Sequence, residues 1–259
     1  MIVQRDDHIK DLGVTFDEKL DFGLHVAEKV NKAYSMLWLI KRNFKDIGAE
    51  AFVTLYKHLI RSHLEYNNSV WSPHKKSDIE KLERVQKRAT KMIPGMPKIS
   101  YPDRLRKLKL PTLTHRRARD DMIETYKLLS GRYDDQASLQ LKSKMFSLPS
   151  DYKTRGNSRK LEVRRCKYDL RKYSFSNRIT NMWNSLPDSV VMADTVNQFK
   201  NRLDKHWAKR AFLCDYLVNY NGTGSLFVAQ KTCENLDVDL EAVACAHSLQ
   251  YSTVQYSIQ

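Results

Sequence analysis

Apolar residues recur along this chain at two different periods, and the switch between them organises it. From His8 to Phe16, the alternation of Leu12, Val14 and Phe16 with polar neighbours predicts a short strand, with Gly13 marking a tight backbone approach or a bulge. After that the period lengthens. Val26, Val30, Ala33, Leu37, Ile40 and Phe44 come at spacings of three and four residues, the one-sided stripe of an amphipathic helix, before a break at Gly48. Phe52, Leu55, Tyr56, Leu59, Ile60 and His63 predict a second helix that ends at the polar turn Asn67-Asn68. Ser77 with Glu80 reads as a capping box opening a third, whose stripe is Leu82, Val85, Ala89 and Met92. Pro94, Gly95 and Pro97 then stop the helix and mark the best internal boundary.

Past that boundary, residues 101–110 predict a short helix or turn, and Arg119, Met122, Ile123, Tyr126 and Leu129 a longer helix running to Gly131. Residues 147–172 read as an exposed, partly extended basic segment. Phe175, Ile179, Met182 and Leu186 form a stripe that Pro187 ends, and Thr195 with Gln198 caps a last helix bearing Phe199, Leu203 and Trp207. The fold class expected is mainly α: a helical bundle with a short N-terminal β element and a second, basic helical region. The divisions fall at 1–20, 21–97, 98–210 and a tail, 211–259, without sustained period. The tryptophans Trp38, Trp71, Trp183 and Trp207 sit in or beside apolar runs and are expected in the core.

Charge sharpens this picture. The chain has 45 Lys and Arg against 30 Asp and Glu, a net of +15, and after residue 210 one Lys stands against five acids. The basic surplus therefore belongs to residues 1–210, and a body of that sign favours polyanions such as RNA or DNA. No run of about 18 apolar residues exists, so a membrane span is not expected, and acids by position 6 argue against a signal peptide. A nuclear or cytoplasmic location follows, in which Cys166, Cys214, Cys233 and Cys245 are expected as unpaired thiols. His58, His63 and His74 lack partners at metal-ligand spacing, and phosphate-cradling, nucleophile-elbow and zinc-helix motifs are absent, so no cofactor is expected.

Two basic clusters are the candidate chemistry. The first holds eight cations between Lys98 and Arg119, among them Arg104, Arg106, Lys107, Arg116, Arg117 and Arg119. The second holds nine: Lys153, Arg155, Arg159, Lys160, Arg164, Arg165, Lys167, Arg171 and Lys172. Arginine is favoured where a planar fork grips phosphate, and Tyr168, Tyr173 and Phe175 lie close enough in sequence to stack on bases. The competing reading is that these are solvated helix faces.

The stretches KDLGVTFDEKLDFGLHV, LYKHLIRSHLEYNNSVWSP, DIEKLERVQKRATKMI, YPDRLRKLKLPTLTHRRARDDMIETYKLLSG, TRGNSRKL, FSNRITNMWNSLPDSVV and VNQFKNRLDKHW resemble, in this order, the C-terminal third of reverse transcriptases of LINE-type, jockey-like retrotransposons. The likeness covers roughly residues 8–207. It implies that KDLGV is the end of a polymerase palm, that the helices after it are a thumb clamping template and primer through the backbone, and that a basic C-terminal region completes the chain. Asn67 and Asp120 depart from the residues that family often has, cysteine and glycine.

The adjacent aspartates Asp6 and Asp7 raise the question of a two-metal polymerase centre, which needs carboxylates from separate strands. In the resembling enzymes the acid pair follows an aromatic and a small residue tens of positions before KDLGV. Here it follows Gln4-Arg5 and reads as a charged turn. Asp120-Asp121 reads as acids at a helix start, where the dipole favours them, and Asp134-Asp135 as a loop. The expected function is that of a reverse-transcriptase portion lacking its catalytic and endonuclease domains, which binds nucleic acid without base specificity and does not polymerise alone. The alternatives are a truncated version of an active polymerase and a host-adopted protein-interaction module.

Overall fold

A computed structural model describes residues 7–45, 47–133, 157–208 and Tyr216. The N-terminal alternation is a hairpin rather than one strand: β1 (His8–Asp11) pairs antiparallel with β2 (Val14–Asp17), Asp11 opposite Val14. Leu12 and Gly13 form the two-residue turn, both with positive φ (44° and 78°), as the primed hairpin turns require. The Leu12 carbonyl accepts from the Tyr66 hydroxyl (3.0 Å) and the Gly13 carbonyl from Lys29 Nζ (3.0 Å), which pins the turn to the helices.

Beyond the hairpin every described element is a helix, in agreement with the mainly α class expected of the chain. Helix α1 (Gly23–Asn43) buries Val26, Val30, Ala33, Leu37 and Ile40, the predicted stripe, while Phe44 ends outside it, half-exposed at the C-cap. Helix α2 (49–65) buries Phe52, Tyr56, Ile60 and Leu64, a strict spacing of four. Four residues overshoot one α-helical turn by about 40°, so such a stripe would drift off the core. The π-helical segment Tyr56–Arg61 in the middle turns less per residue and brings Ile60 and Leu64 back. Asn67, in the left-handed region (φ 53°), separates α2 from α3 (Asn68–Trp71).

Helix α4 (Lys76–Lys91) starts one residue before Ser77, with Lys75 at the N-cap and no side-chain cap bond, so the predicted capping box does not form. Helix α5 (Tyr101–Lys107) is capped by Ser100, and α6 (Leu113–Leu129) by Thr112, whose hydroxyl accepts from His115 N. Helix α6 stops as predicted: Gly131 takes φ 63°, and the Gly131 and Arg132 amides donate to Leu128 and Lys127. The remaining elements are α7 (Asp169–Lys172), α8 (Phe175–Asn184), α9 (Asp188–Val191) and α10 (Val196–Trp207). Thr195 caps α10 by accepting from Gln198 N (3.1 Å), and Gln198 Oε1 accepts in return from Asp194 N (2.7 Å).

Two apolar cores result. The first runs from Val14 to Leu113 and takes Leu105, Leu110 and Leu113 from beyond the Pro94–Pro97 break; the second runs from Ala118 to Trp207. Helix α6 serves both, packing on α3 and α4 at one end and on α8 and α10 along the rest. Trp71, Trp183 and Trp207 are buried as expected. Trp38 is not: it is 60% exposed on the outer face of α1.

Candidate nucleic-acid interface

The first basic cluster divides sharply. Arg106 and Lys107 are exposed on α5, Arg106 paired with Asp103 (2.6 Å). Arg104, Arg116, Arg117 and Arg119 are buried, and this corrects their reading as phosphate contacts. Helix α6 is surrounded by other elements, so its charged side chains must find partners inside. Arg116 grips Glu65 of α2 with Nε and Nη2 (Nη2 at 2.9 Å), and Arg119 grips Asp204 of α10 (2.6 and 2.7 Å). Burial alone would raise the Glu65 carboxyl, but Arg116 and Arg61 outweigh it and hold the group below its usual range.

A third pair completes the set. Asp121 lies in the middle of α6, not at its start, and accepts two bonds from Arg178 of α8 (2.9 and 2.8 Å); Arg178 also donates to the Ser69 carbonyl of α3 (2.9 Å). Asp120 beside it is half-buried, with its carboxyl pushed up to about 6, chiefly by burial and partly by Glu65. At the N-terminus of α6, Glu83 of α4 accepts from Leu113 N (3.1 Å) and from the Tyr101 hydroxyl. RRARDD is thus the ionic hub of the fold.

The second cluster behaves differently. Lys153 and Arg155, like Asp6, Asp134, Asp135 and the cysteines of the tail, lie outside the described residues. From Asn157 the chain runs without regular structure along α8 and α9. Asn157 Nδ2 donates to the Trp183 and Leu186 carbonyls (2.9 and 3.0 Å), Ser158 donates to Asp188, and Leu161 and Asn184 exchange two bonds at 2.8 Å. Trp183 Nε1 donates to the Arg159 carbonyl (2.7 Å), and Arg159 and Lys160 are half-buried.

Beyond Leu161 the side chains turn outward. Arg164, Arg165, Lys167, Arg171 and Lys172 are exposed, with Tyr168 78% exposed among them. Cys166 is a free thiol in this run. The far end is held again, because Tyr173 stacks on His74 with centroids 4.2 Å apart and Phe175 packs against the second core. Residues 162–172 are therefore a cationic strap fastened at both ends, with Tyr168 as its open aromatic.

A second exposed basic surface is not apparent from the sequence. The outer face of α4 carries Lys81, Arg84, Arg88 and Lys91, with Lys87 half-buried at its edge; Glu80 is the exposed acid on that helix. A signal is present, since these cations recur at three and four residues opposite the apolar stripe, but any solvated helix face has the same pattern. What distinguishes it is the neighbours. Arg88 lies over the Tyr34 ring (5.7 Å), Arg42 over the Trp38 ring (5.5 Å), and Lys87 over the Tyr101 and Tyr216 rings (5.3 and 4.2 Å). Lys87, Lys91 and Arg104 line an open pocket of about 320 Å³ beside Tyr101.

Asp7 is an exposed residue ahead of β1, and among the described residues no three His, Cys, Asp or Glu side chains gather where they could share a metal ion. Among the described helices none is long and apolar enough to cross a membrane. The histidines His25 and His115 are interior groups: Thr15 N donates to His25 Nδ1 (3.1 Å), and burial, followed by Lys29, pushes His25 down to about 4. Burial, then Arg119 and Arg116, push His115 down to about 3.

No family model and no solved structure matches this chain. An uncharacterised protein of Caenorhabditis elegans is 26% identical to it over 128 residues, 48% of this chain. The chain covers 65% of that protein's length.

Proposed function

We propose that residues 1–210 bind nucleic acid through the phosphate backbone, with little base specificity, as a thumb and C-terminal region akin to those of a jockey-like retrotransposon reverse transcriptase, and that the chain alone does not polymerise. The observation that carries the reading is the strap: five exposed cations between Arg164 and Lys172, held at both ends by the second core and His74. A pre-ordered run of cations loses little conformational freedom when it meets a row of phosphates.

The experiment is a salt titration of binding to DNA. If about five phosphates are neutralised, log affinity falls with log salt at a slope of about −4 to −5. Arg164→Ala with Arg165→Ala weakens binding to every sequence alike and flattens the slope by about 2. A salt-independent interaction, or no binding at low salt, overturns the proposal.

A further inference from the structure

The outer faces of α1 and α4 form a surface with a more specific chemistry than the strap. Trp38 stands in the C-terminal half of α1, four residues after Tyr34, so the two side chains are neighbours on one face. Lys41 and Arg42 extend that face towards the helix end, and Arg88 of α4 reaches across to Tyr34. Arg84 and Lys91 continue the cations along α4. The interior does not need Trp38: Leu37 and Ile40 fill the core at that level, and Trp38 is left 60% exposed.

We propose that this surface holds single-stranded nucleic acid, with an unpaired base stacked on Trp38 and the phosphates on either side gripped by Arg42, Arg84, Arg88 and Lys91. A ring that stays 60% exposed with Arg42 over it attracts any base with a free π-face, and the cations on the two helices select a polyanion over an apolar protein segment. Bases inside a duplex present their edges and not their faces, so a ring lying on a helix surface discriminates in favour of unpaired strands. The strap, by contrast, needs only phosphate and serves either form. This inference rests on the reading that the chain binds nucleic acid, but at a separate surface.

The test uses the full chain, fluorescein-labelled dT20, rU20 and a 20-base-pair duplex, with binding followed by anisotropy. Trp38→Ala is expected to weaken both single strands about 5- to 150-fold, the range that loss of one base–aromatic stack produces, and to leave the duplex within about twofold. Trp38→Phe restores most of the loss. Because Trp71, Trp183 and Trp207 are buried, quenching of tryptophan emission by unlabelled dT20 is expected in the wild type and lost in Trp38→Ala, with unchanged thermal melting. A parallel loss for rU20 and dT20 assigns the site to single strands in general; a loss for rU20 alone assigns it to RNA. Equal weakening of duplex and single strand, or no weakening of either, overturns the inference. If wild-type protein binds no nucleic acid, the broader proposal fails; if Arg164→Ala with Arg165→Ala weakens binding while Trp38→Ala does not, this inference alone fails.

Discussion

Arg119 offers a direct separation of the buried arginines from those proposed to meet phosphate. Its guanidinium is buried (3% exposed) and donates from Nε and Nη2 to both oxygens of Asp204, whose side chain is also mostly enclosed. Arg119→Ala leaves that carboxylate facing α6 without its counter-charge, and breaking a buried pair in this way costs about 3–5 kcal/mol. For a domain of this size each kcal/mol moves the melting temperature about 2–4 °C, so a drop of about 6–20 °C is expected. The double variant Arg119→Met, Asp204→Leu recovers most of it, because replacing both charges with apolar groups removes the desolvation cost as well as the attraction. The assay pairs a far-ultraviolet circular dichroism melt with DNA binding measured well below the variant's melting range. Arg119→Ala loses stability and, on a short DNA confined to the strap, keeps its affinity and salt slope; Arg164→Ala with Arg165→Ala does the reverse. An Arg119→Ala protein with unchanged melting and weaker binding would refute the assignment, since it would place the guanidinium on the phosphate-facing surface.

Titration of the interior gives two further outcomes. His25 and His115 are held neutral by burial, down to about 4 and about 3, so the stability they permit is complete above their ordinary value near 6.5 and is lost as pH falls below it. By pH 4.5 each is expected to cost about 2.5 kcal/mol, read as a falling melting temperature. Asp120 has the opposite sign, because its carboxyl is raised to about 6 and its ionised form is disfavoured in the fold. Asp120→Asn therefore raises the melting temperature at pH 7.5, and the gain disappears as pH falls through 6 towards 4. Lys109 ends α5 at φ 50°, with its own amide and that of Leu110 closing the turn onto Arg106 and Leu105. Glycine relieves that left-handed backbone, so Lys109→Gly is expected to stabilise by about 0.5–1 kcal/mol in chemical denaturation.

How legible each helix is in the sequence depends on how many of its sides meet solvent. Helices α1, α4, α8 and α10 each keep a wet face, and most residues the period picks out are buried, with Met92, Phe175 and Met182 half-buried and Phe44 exposed. Helix α6 has almost none. Its first turns carry His115, Arg116, Arg117 and Arg119 inside the protein, so the expected helix begins at Arg119 instead of Leu113, and the arginines read as surface charge. Only their partners, 51 and 85 residues away in the chain, reveal otherwise. Gly13 is legible as a tight approach but not as a hairpin turn, because β1 is exposed on both faces and contributes no alternation of its own. Trp38 misleads for the converse reason: hydropathy places a tryptophan inside, and Arg42 over its ring and Arg88 of α4 over the adjacent Tyr34 become visible only in the folded chain.

The same hub that periodicity conceals bears on how the exposed charge can act. Helix α6 is tied to α2 through Glu65, to α10 through Asp204, to α8 through Asp121 and Arg178, and to α4 through Glu83. The strap is fastened to α8, and the surface around Trp38 and Arg88 lies on α1 and α4, which share the first core. The two basic surfaces are consequently held to one framework, by bidentate pairs to α2, α8 and α10 and by the Glu83 bond to α4. A polyanion reaching both encounters sites already fixed in relation to each other, so the second contact is intramolecular and strengthens binding without further ordering of the protein. Loosening α6 should therefore weaken a long nucleic acid that spans both surfaces more than a short one confined to the strap, even though Arg116, Arg119 and Asp121 are buried.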